Sequence, residues 1–138
     1  MERSLVLIKP DAMERGLAGA IIARLQVEGL KLAGLKMLHM DKALAERHYA
    51  VHKGKPFYDG LLNYMISAPI VAAAFEGENV VERIRIAMGA TDPTKAMPGT
   101  IRRDFGLDLQ RNSIHGSDSP ENGAKEIALF FKKNELFS

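Results

Sequence analysis

Cysteine is absent from the 138-residue chain. Disulfide frameworks, zinc-cysteine sites and thiol catalysis are thereby excluded together, and the composition suits a reducing compartment. Long apolar runs are also missing. Leu5 to Ile8 is cut off by Lys9, Pro10 and Asp11, too early for a signal-peptide core or a bilayer span. A cytoplasmic location without a membrane partner is expected. No block of like charge occurs: 19 basic and 17 acidic residues, a formal net charge of +2, are mixed along the chain. Nucleic-acid binding is therefore not indicated, and anion binding has to come from local placement. Neither GxxxxGK(S/T) nor GxGxxG is present, which disfavours the usual nucleotide-binding folds. There is no fixed-period repeat, low-complexity segment or interdomain linker.

What is present is an ordinary globular composition, 46% hydrophobic and 26% charged. The length is enough for one domain, 1–138, to close an apolar core. Ser4 to Ile8 reads as a buried strand that stops at Pro10 and carries Lys9 at its end. Ile21, Ile22 and Leu25 fall at helical spacing between Gly19 and Glu28, with Gly29 as a stop. Leu30 to Met40 reads as a second strand that would contain His39. Asp41 can cap a helix running through His48 and Tyr49, and a short helix after Pro56 reaches Tyr64, the two forming a helical hairpin.

Pro69 to Phe75 is expected to be a third strand although it holds three alanines. Val80, Val81, Ile84 and Met88 mark a helix face that ends at Gly89. From Gly89 to Arg102 the density of turn residues predicts a long surface loop. Asn112 to His115 reads as the last strand, and Ser119-Pro120 opens a helix to Phe131. This order is that of a split βαβ pair: a ferredoxin-like α+β sandwich, with a four-stranded antiparallel sheet and helices packed on it.

His115 stands between the end of a strand and the start of a capped helix, and Gly116 after it leaves room for a bulky group to approach. A neutral imidazole is a nucleophile near neutral pH and needs mainly orientation, for which Glu126 on the next helix is a plausible carboxylate. A histidine that merely caps or is solvated remains an equal reading of this segment alone. Lys9, Arg85 and Arg102 fall at element ends, where positive charge could stabilise a phosphoryl group in transfer. Taken singly, each is more often a surface charge. Asp11 reads as a turn former. Phe57 and Tyr58 could stack a base or seal a core edge. His48 and His52 share a helical face at i, i+4 but lack a nearby acidic third ligand, so no metal site is expected.

The segment Asn112-Ser113-Ile114-His115-Gly116-Ser117-Asp118-Ser119 resembles the active-site signature N-x-x-H-G-S-D of nucleoside diphosphate kinases. Further blocks follow that family in order: Ile8-Lys9-Pro10-Asp11 with Arg15-Gly16-Leu17, His48-Tyr49 with Pro56-Phe57, Asn79-Val80-Val81, Gly89-Ala90-Thr91-Asp92-Pro93, and Pro98-Gly99-Thr100-Ile101-Arg102. Nearly the whole chain is covered. The resemblance implies that His115 takes the phosphoryl group and that Glu126, supported by Ser117, fixes the imidazole. It implies that Arg85, Thr91 and Arg102 bind phosphates, that Lys9 and Asn112 reach the sugar, and that Tyr49 belongs to the same nucleotide site. Phe57 and Leu109 match the positions that sandwich the base, so broad base specificity is implied. Mg2+ would arrive with the nucleoside di- or triphosphate and need no dedicated protein ligand, and transfer would be ping-pong. A homo-oligomer, tetramer or hexamer, is also implied.

Two departures stand out. The chain stops at Ser138, where longer relatives continue with a segment that helps bind neighbouring subunits, which leaves oligomer size open. Arg103 occupies a position the family often fills with a small residue and reads as a solvated arginine. Two rival readings remain. One is a binding protein on the same fold, acting through nucleotide or nucleic acid. The other is a histidine phosphocarrier that serves another protein.

Overall fold

The computed structural model describes residues 2–137. Four strands form one antiparallel sheet: β1 (Arg3–Ile8), β2 (Lys31–Leu38), β3 (Ile70–Glu76) and β4 (Ile114–Gly116), in the order β2-β3-β1-β4. Leu7 faces His115 across the β1/β4 pair, and Val6 faces Ala73 across β1/β3. The helices are α1 (Pro10–Glu14), α2 (Ala18–Val27), α3 (Lys42–His48), α4 (Tyr58–Met65), α5 (Val80–Met88), α6 (Ile101–Phe105) and α7 (Pro120–Phe130).

Strand alternation decides which face each side chain serves. Val6 and Ile8 of β1, with Val71, Ala73 and Phe75 of β3, pack under Ile21 and Leu25 of α2 and Ile84 of α5. Leu5, Leu7, Ile70, Ala72 and Ala74 face the other way, onto Ala45 of α3, Leu62 of α4 and Ile127 and Phe130 of α7. Every residue of β3 is buried. The alanines that weaken its strand propensity let helices from both layers close on the sheet.

The expected order of elements is present, and so are both predicted caps. The Asp41 carboxylate accepts from the Leu44 amide at 2.7 Å, and the Ser119 hydroxyl accepts from the Asn122 amide at 3.1 Å. Three expectations are corrected. β2 ends at Leu38, so His39 lies outside the strand, its Nε2 2.6 Å from the Ile66 carbonyl. The loop after Gly89 is interrupted by a 3-10 turn, Pro93–Lys95, and gives way at Ile101 to α6, so Arg102 sits inside a helix capped by Thr100. Asp11 lies in the first turn of α1, and its buried carboxylate accepts from the Tyr64 hydroxyl and, at 3.3 Å, from the Ser113 hydroxyl.

Arg103 is exposed and donates to the Thr94 carbonyl at 3.1 Å, tying α6 to the 3-10 turn. Gly116 has a packing role beyond the approach space expected of it. A Cβ there would stand 2.8 Å from Met88 Sδ and 3.1 Å from Ile84 Cγ2, so glycine lets α5 lie this close to β4 without displacing either side chain.

Candidate active site

The β1/β4 register places His115 on the sheet face shared with Leu7, beneath α3 and α7. There its Nε2 lies 3.0 Å from Glu126 Oε1 on α7. An ionised carboxylate can only accept, so Nε2 carries the proton and Nδ1 keeps the lone pair. Ser117 Oγ donates to the same Glu126 oxygen at 2.7 Å and accepts the Leu5 amide at 2.9 Å. One buried hydroxyl thus ties the carboxylate to the central strand. Burial by itself pushes the Glu126 carboxyl up, but the hydrogen bond from His115, the charge of that ring and the Ser117 bond outweigh it and hold the group below its usual value.

In front of this relay lies a cavity of about 1340 Å³. Lys9, Tyr49, Phe57, Arg85, Thr91, Arg102, Leu109, Asn112, His115 and Glu126 all line it, which gathers every expected site residue except Ser117. Ser117 is fully buried behind Glu126 and acts through it. Asn112, 2% exposed, ties the parts of the rim together. Its Oδ1 accepts from Lys9 Nζ at 2.9 Å while its Nδ2 donates to the Thr91 and Leu109 carbonyls, each at 3.1 Å. The backbone between Asn112 and His115 is bent, with Ser113 at φ 75°, a left-handed conformation rare outside glycine.

Among the described residues Lys9, Arg85 and Arg102 form no salt bridge. Arg102 donates to the Ile114 carbonyl at 2.8 Å and the Gly89 carbonyl at 3.3 Å, and neither partner is charged. Burial, then the neighbouring Arg85, lowers its pKa to about 10. For Lys9 burial, then Arg102, lowers the pKa to about 8. Both shifts report positive charge held in a dehydrated setting, as an anion-binding cavity requires, with Asp11 and Asp108 offsetting the burial of Lys9 only in part. Phe57 and Leu109, 50% and 63% exposed, offer apolar surface at the rim. The Tyr49 hydroxyl is pushed up by burial and by Glu126, so it stays protonated.

Two participants escaped the sequence reading. His48 lies at the back of the cavity with its ring edge-on to His115, centroids 4.9 Å apart. Burial, then the His115 ring, lowers its pKa to about 3, so it is neutral. In the sequence it shows only as the residue before Tyr49 and as the i, i+4 partner of His52. Tyr64 is the other, reached through Asp11; its hydroxyl also accepts the Asp11 amide at 2.9 Å. The i, i+4 pairing of His48 with His52 is not the relevant one. His52 leaves α3 for a 3-10 turn, and its Nδ1 lies 3.1 Å from Lys55 Nζ.

Fold and cavity together define a phosphotransferase acting on small anionic substrates: an oriented imidazole faces a pocket lined by Lys9, Arg85 and Arg102. The family model described as nucleoside diphosphate kinase matches residues 2–136. The nucleoside diphosphate kinase of Carboxydothermus hydrogenoformans is 56% identical over 138 residues, covering 100% of this chain and 93% of the relative. That of Dehalococcoides mccartyi is 56% identical over 136 residues, covering 99% and 96%. Among solved structures, the halophilic nucleoside diphosphate kinase of Halobacterium salinarum, in complex with CDP, superposes with a TM-score of 0.96 at 47% identity, covering 99% of this chain and 91% of that one. The Aquifex aeolicus enzyme superposes with a TM-score of 0.95 at 42% identity, covering 98% of each chain. The chain belongs to the nucleoside diphosphate kinase family.

Proposed function

We propose that the chain transfers the γ-phosphoryl group of a nucleoside triphosphate, typically ATP, to a nucleoside diphosphate by way of phosphorylated His115. The observation that carries this reading is the His115-Glu126-Ser117 relay opening onto the cation-lined cavity. In the first half-reaction the Nδ1 lone pair attacks the γ-phosphorus, an N–P bond forms, the bond to the β,γ-bridging oxygen breaks, and that oxygen leaves on the diphosphate. The reverse, with a second diphosphate, regenerates the enzyme, so one pocket serves donor and acceptor in turn. Glu126 keeps the proton on Nε2 and balances the charge that develops on the ring. Arg85, Arg102 and Thr91 hold the phosphates, Lys9 and Asn112 the sugar hydroxyls, and Tyr49 closes the wall beside them.

Phe57 and Leu109 sandwich the base by stacking and apolar contact, which does not read base edges and so accepts purines and pyrimidines alike. The CDP complex of the Halobacterium relative supports acceptance of a pyrimidine. Among the described residues the one cluster of possible metal ligands is His48, His115 and Glu126, a nitrogen-rich set that does not suit magnesium. The residues present fit a Mg2+ held mainly by the nucleotide's own phosphates, with the exposed Asp118 at the rim, where the ion would neutralise phosphate charge.

The 138 residues act as one cytoplasmic domain in this reading. No described helix is long and apolar enough to cross a membrane. Assembly into a homo-oligomer, tetramer or hexamer, is supported by the edge position of β2, where Leu35 and Met37 are 50% and 65% exposed.

Intact mass after mixing with magnesium and ATP, then with GDP, tests the proposal. One phosphoryl group should appear and then vanish as GTP forms, and His115→Ala should take up none while still binding nucleotide. Absence of uptake under conditions that preserve acid-labile phosphohistidine would favour a binding protein. Uptake that GDP cannot reverse would favour a phosphocarrier.

A further inference from the structure

We propose that His48, His115 and Glu126 form a site for one borderline-soft divalent cation of the zinc type, and that occupation of this site switches the nucleophile off. The ligand atoms of these three residues all lie within 4.8 Å of one another, and the closest pair, His115 Nε2 and Glu126 Oε1, is 3.0 Å apart. A tetrahedral zinc ion with nitrogen and oxygen ligands at about 2.0–2.1 Å sets its ligands about 3.3 Å from each other, so the His115–Glu126 pair already stands near that spacing and His48, within 4.8 Å of both, has to close on it by side-chain movement.

A second observation points the same way. Both ring nitrogens of His48 are buried without a hydrogen-bond partner, a costly condition that calls for an explanation. The ring is wedged edge-on between Tyr49, His115 and Phe130, with centroids 4.4, 4.9 and 5.1 Å away. No proton acceptor or donor among the described residues meets it, and coordination would satisfy one nitrogen at once.

Two imidazoles and one carboxylate prefer zinc or cobalt(II) to magnesium, which demands six oxygen ligands and keeps its water. The magnesium that accompanies nucleotide therefore leaves the site free. Three protein ligands leave the fourth position to water. The inhibitory consequence follows from the tautomer. In the active ring the proton sits on Nε2, facing Glu126, and Nδ1 carries the lone pair. A cation on Nε2 displaces that proton to Nδ1, the only other nitrogen of the neutral ring. No proton is lost, but the attacking lone pair is. This consequence rests on His115 as the nucleophile, whereas binding of the ion does not.

The test is calorimetric titration of the metal-free full chain with zinc chloride, in millimolar magnesium, paired with the visible spectrum of the cobalt(II) form. The expected result is one ion per chain, the intense absorption of tetrahedral cobalt, and an affinity at least about tenfold weaker in His48→Ala. Phosphoryl uptake from magnesium ATP should fall in step with zinc occupancy and return on chelation. No binding at about 100 μM zinc, or equal affinity in a His48→Ala protein that still unfolds cooperatively, would overturn the site. Should His48→Ala fail to fold, the wild-type cobalt spectrum decides, since a weak octahedral spectrum also overturns it. Stoichiometric binding through His48 with undiminished phosphoryl uptake would uphold the site and remove its switching role, placing the error in His115 as nucleophile.

Discussion

Replacing Ser117 by alanine separates the stability of the fold from the orientation of the His115 ring. The Ser117 oxygen is fully buried and makes two bonds, accepting the Leu5 amide at 2.9 Å and donating to Glu126 at 2.7 Å. The first extends the β1/β4 ladder where β4 ends, and no water reaches Leu5 to replace it. A buried donor left unpaired costs about 1–3 kcal/mol. The second bond is less expensive to lose because the Glu126 side chain is 19% exposed and water can substitute. Ser117→Ala should therefore lose about 1–3 kcal/mol in denaturant unfolding, with the slope against denaturant unchanged. Turnover should fall by no more than about tenfold, since His115 still meets Glu126 directly and about 1.4 kcal/mol of misorientation corresponds to that factor. Urea unfolding and steady-state kinetics on one preparation measure both. Unfolding within about 0.5 kcal/mol of wild type, together with a loss of turnover beyond about a thousandfold, would refute the reasoning and give Ser117 direct contact with substrate.

Three other perturbations probe the rest of the frame. Lys9, with its pKa lowered to about 8, loses its ammonium as pH rises through that value, so nucleotide KM should climb above pH 8 while kcat, measured with Lys9 against bound nucleotide, changes at higher pH. The same shift has the opposite sign for stability. The burial cost of the charge is present at neutral pH and is relieved as pH rises from about 8 toward the ordinary lysine value of 10.5, and a stability that falls over that window would contradict it. Gly116→Ala must push Met88 and Ile84 away from β4 and should cost about 1–3 kcal/mol by thermal or denaturant unfolding; a neutral result would show that α5 can retreat freely. Tyr64→Phe removes the hydroxyl from the buried Asp11 carboxylate and should destabilise by about 1–3 kcal/mol, with a rise in KM if the Lys9 and Ser113 segments loosen together; unchanged unfolding would mean water replaces the hydroxyl.

The β-α order was legible because each long element carries its own period. Ile21 and Leu25 mark one face of α2, and the run Ile70 to Phe75 has the length and burial of a central strand despite its alanines. The five-residue helices α1 and α6 were not, because little more than one turn shows no period. Local pattern therefore places Arg102 at the end of a loop and Asp11 in a turn. Local pattern marks Gly116 only as room for a ligand, whereas the crowding around it comes from Met88 and Ile84, far away in the chain.

The sequence by itself determined the family, through the block around His115 and the blocks in register with it, and with the family the residues expected to surround a nucleotide. Only the tertiary structure decided how those residues meet. The β1/β4 register turns His115 toward α7, Ser117 links Glu126 to Leu5, Asn112 joins Lys9 to the Thr91 loop, and His48 comes to rest against His115 with no hydrogen-bond partner among the described residues. Residue type and spacing record what a side chain can do chemically. The Ser117–Leu5, Asn112–Lys9 and His48–His115 contacts join segments more than 60 residues apart, and even the His115–Glu126 pair, only 11 residues apart, meets because the sheet and α7 pack together, which no local pattern encodes.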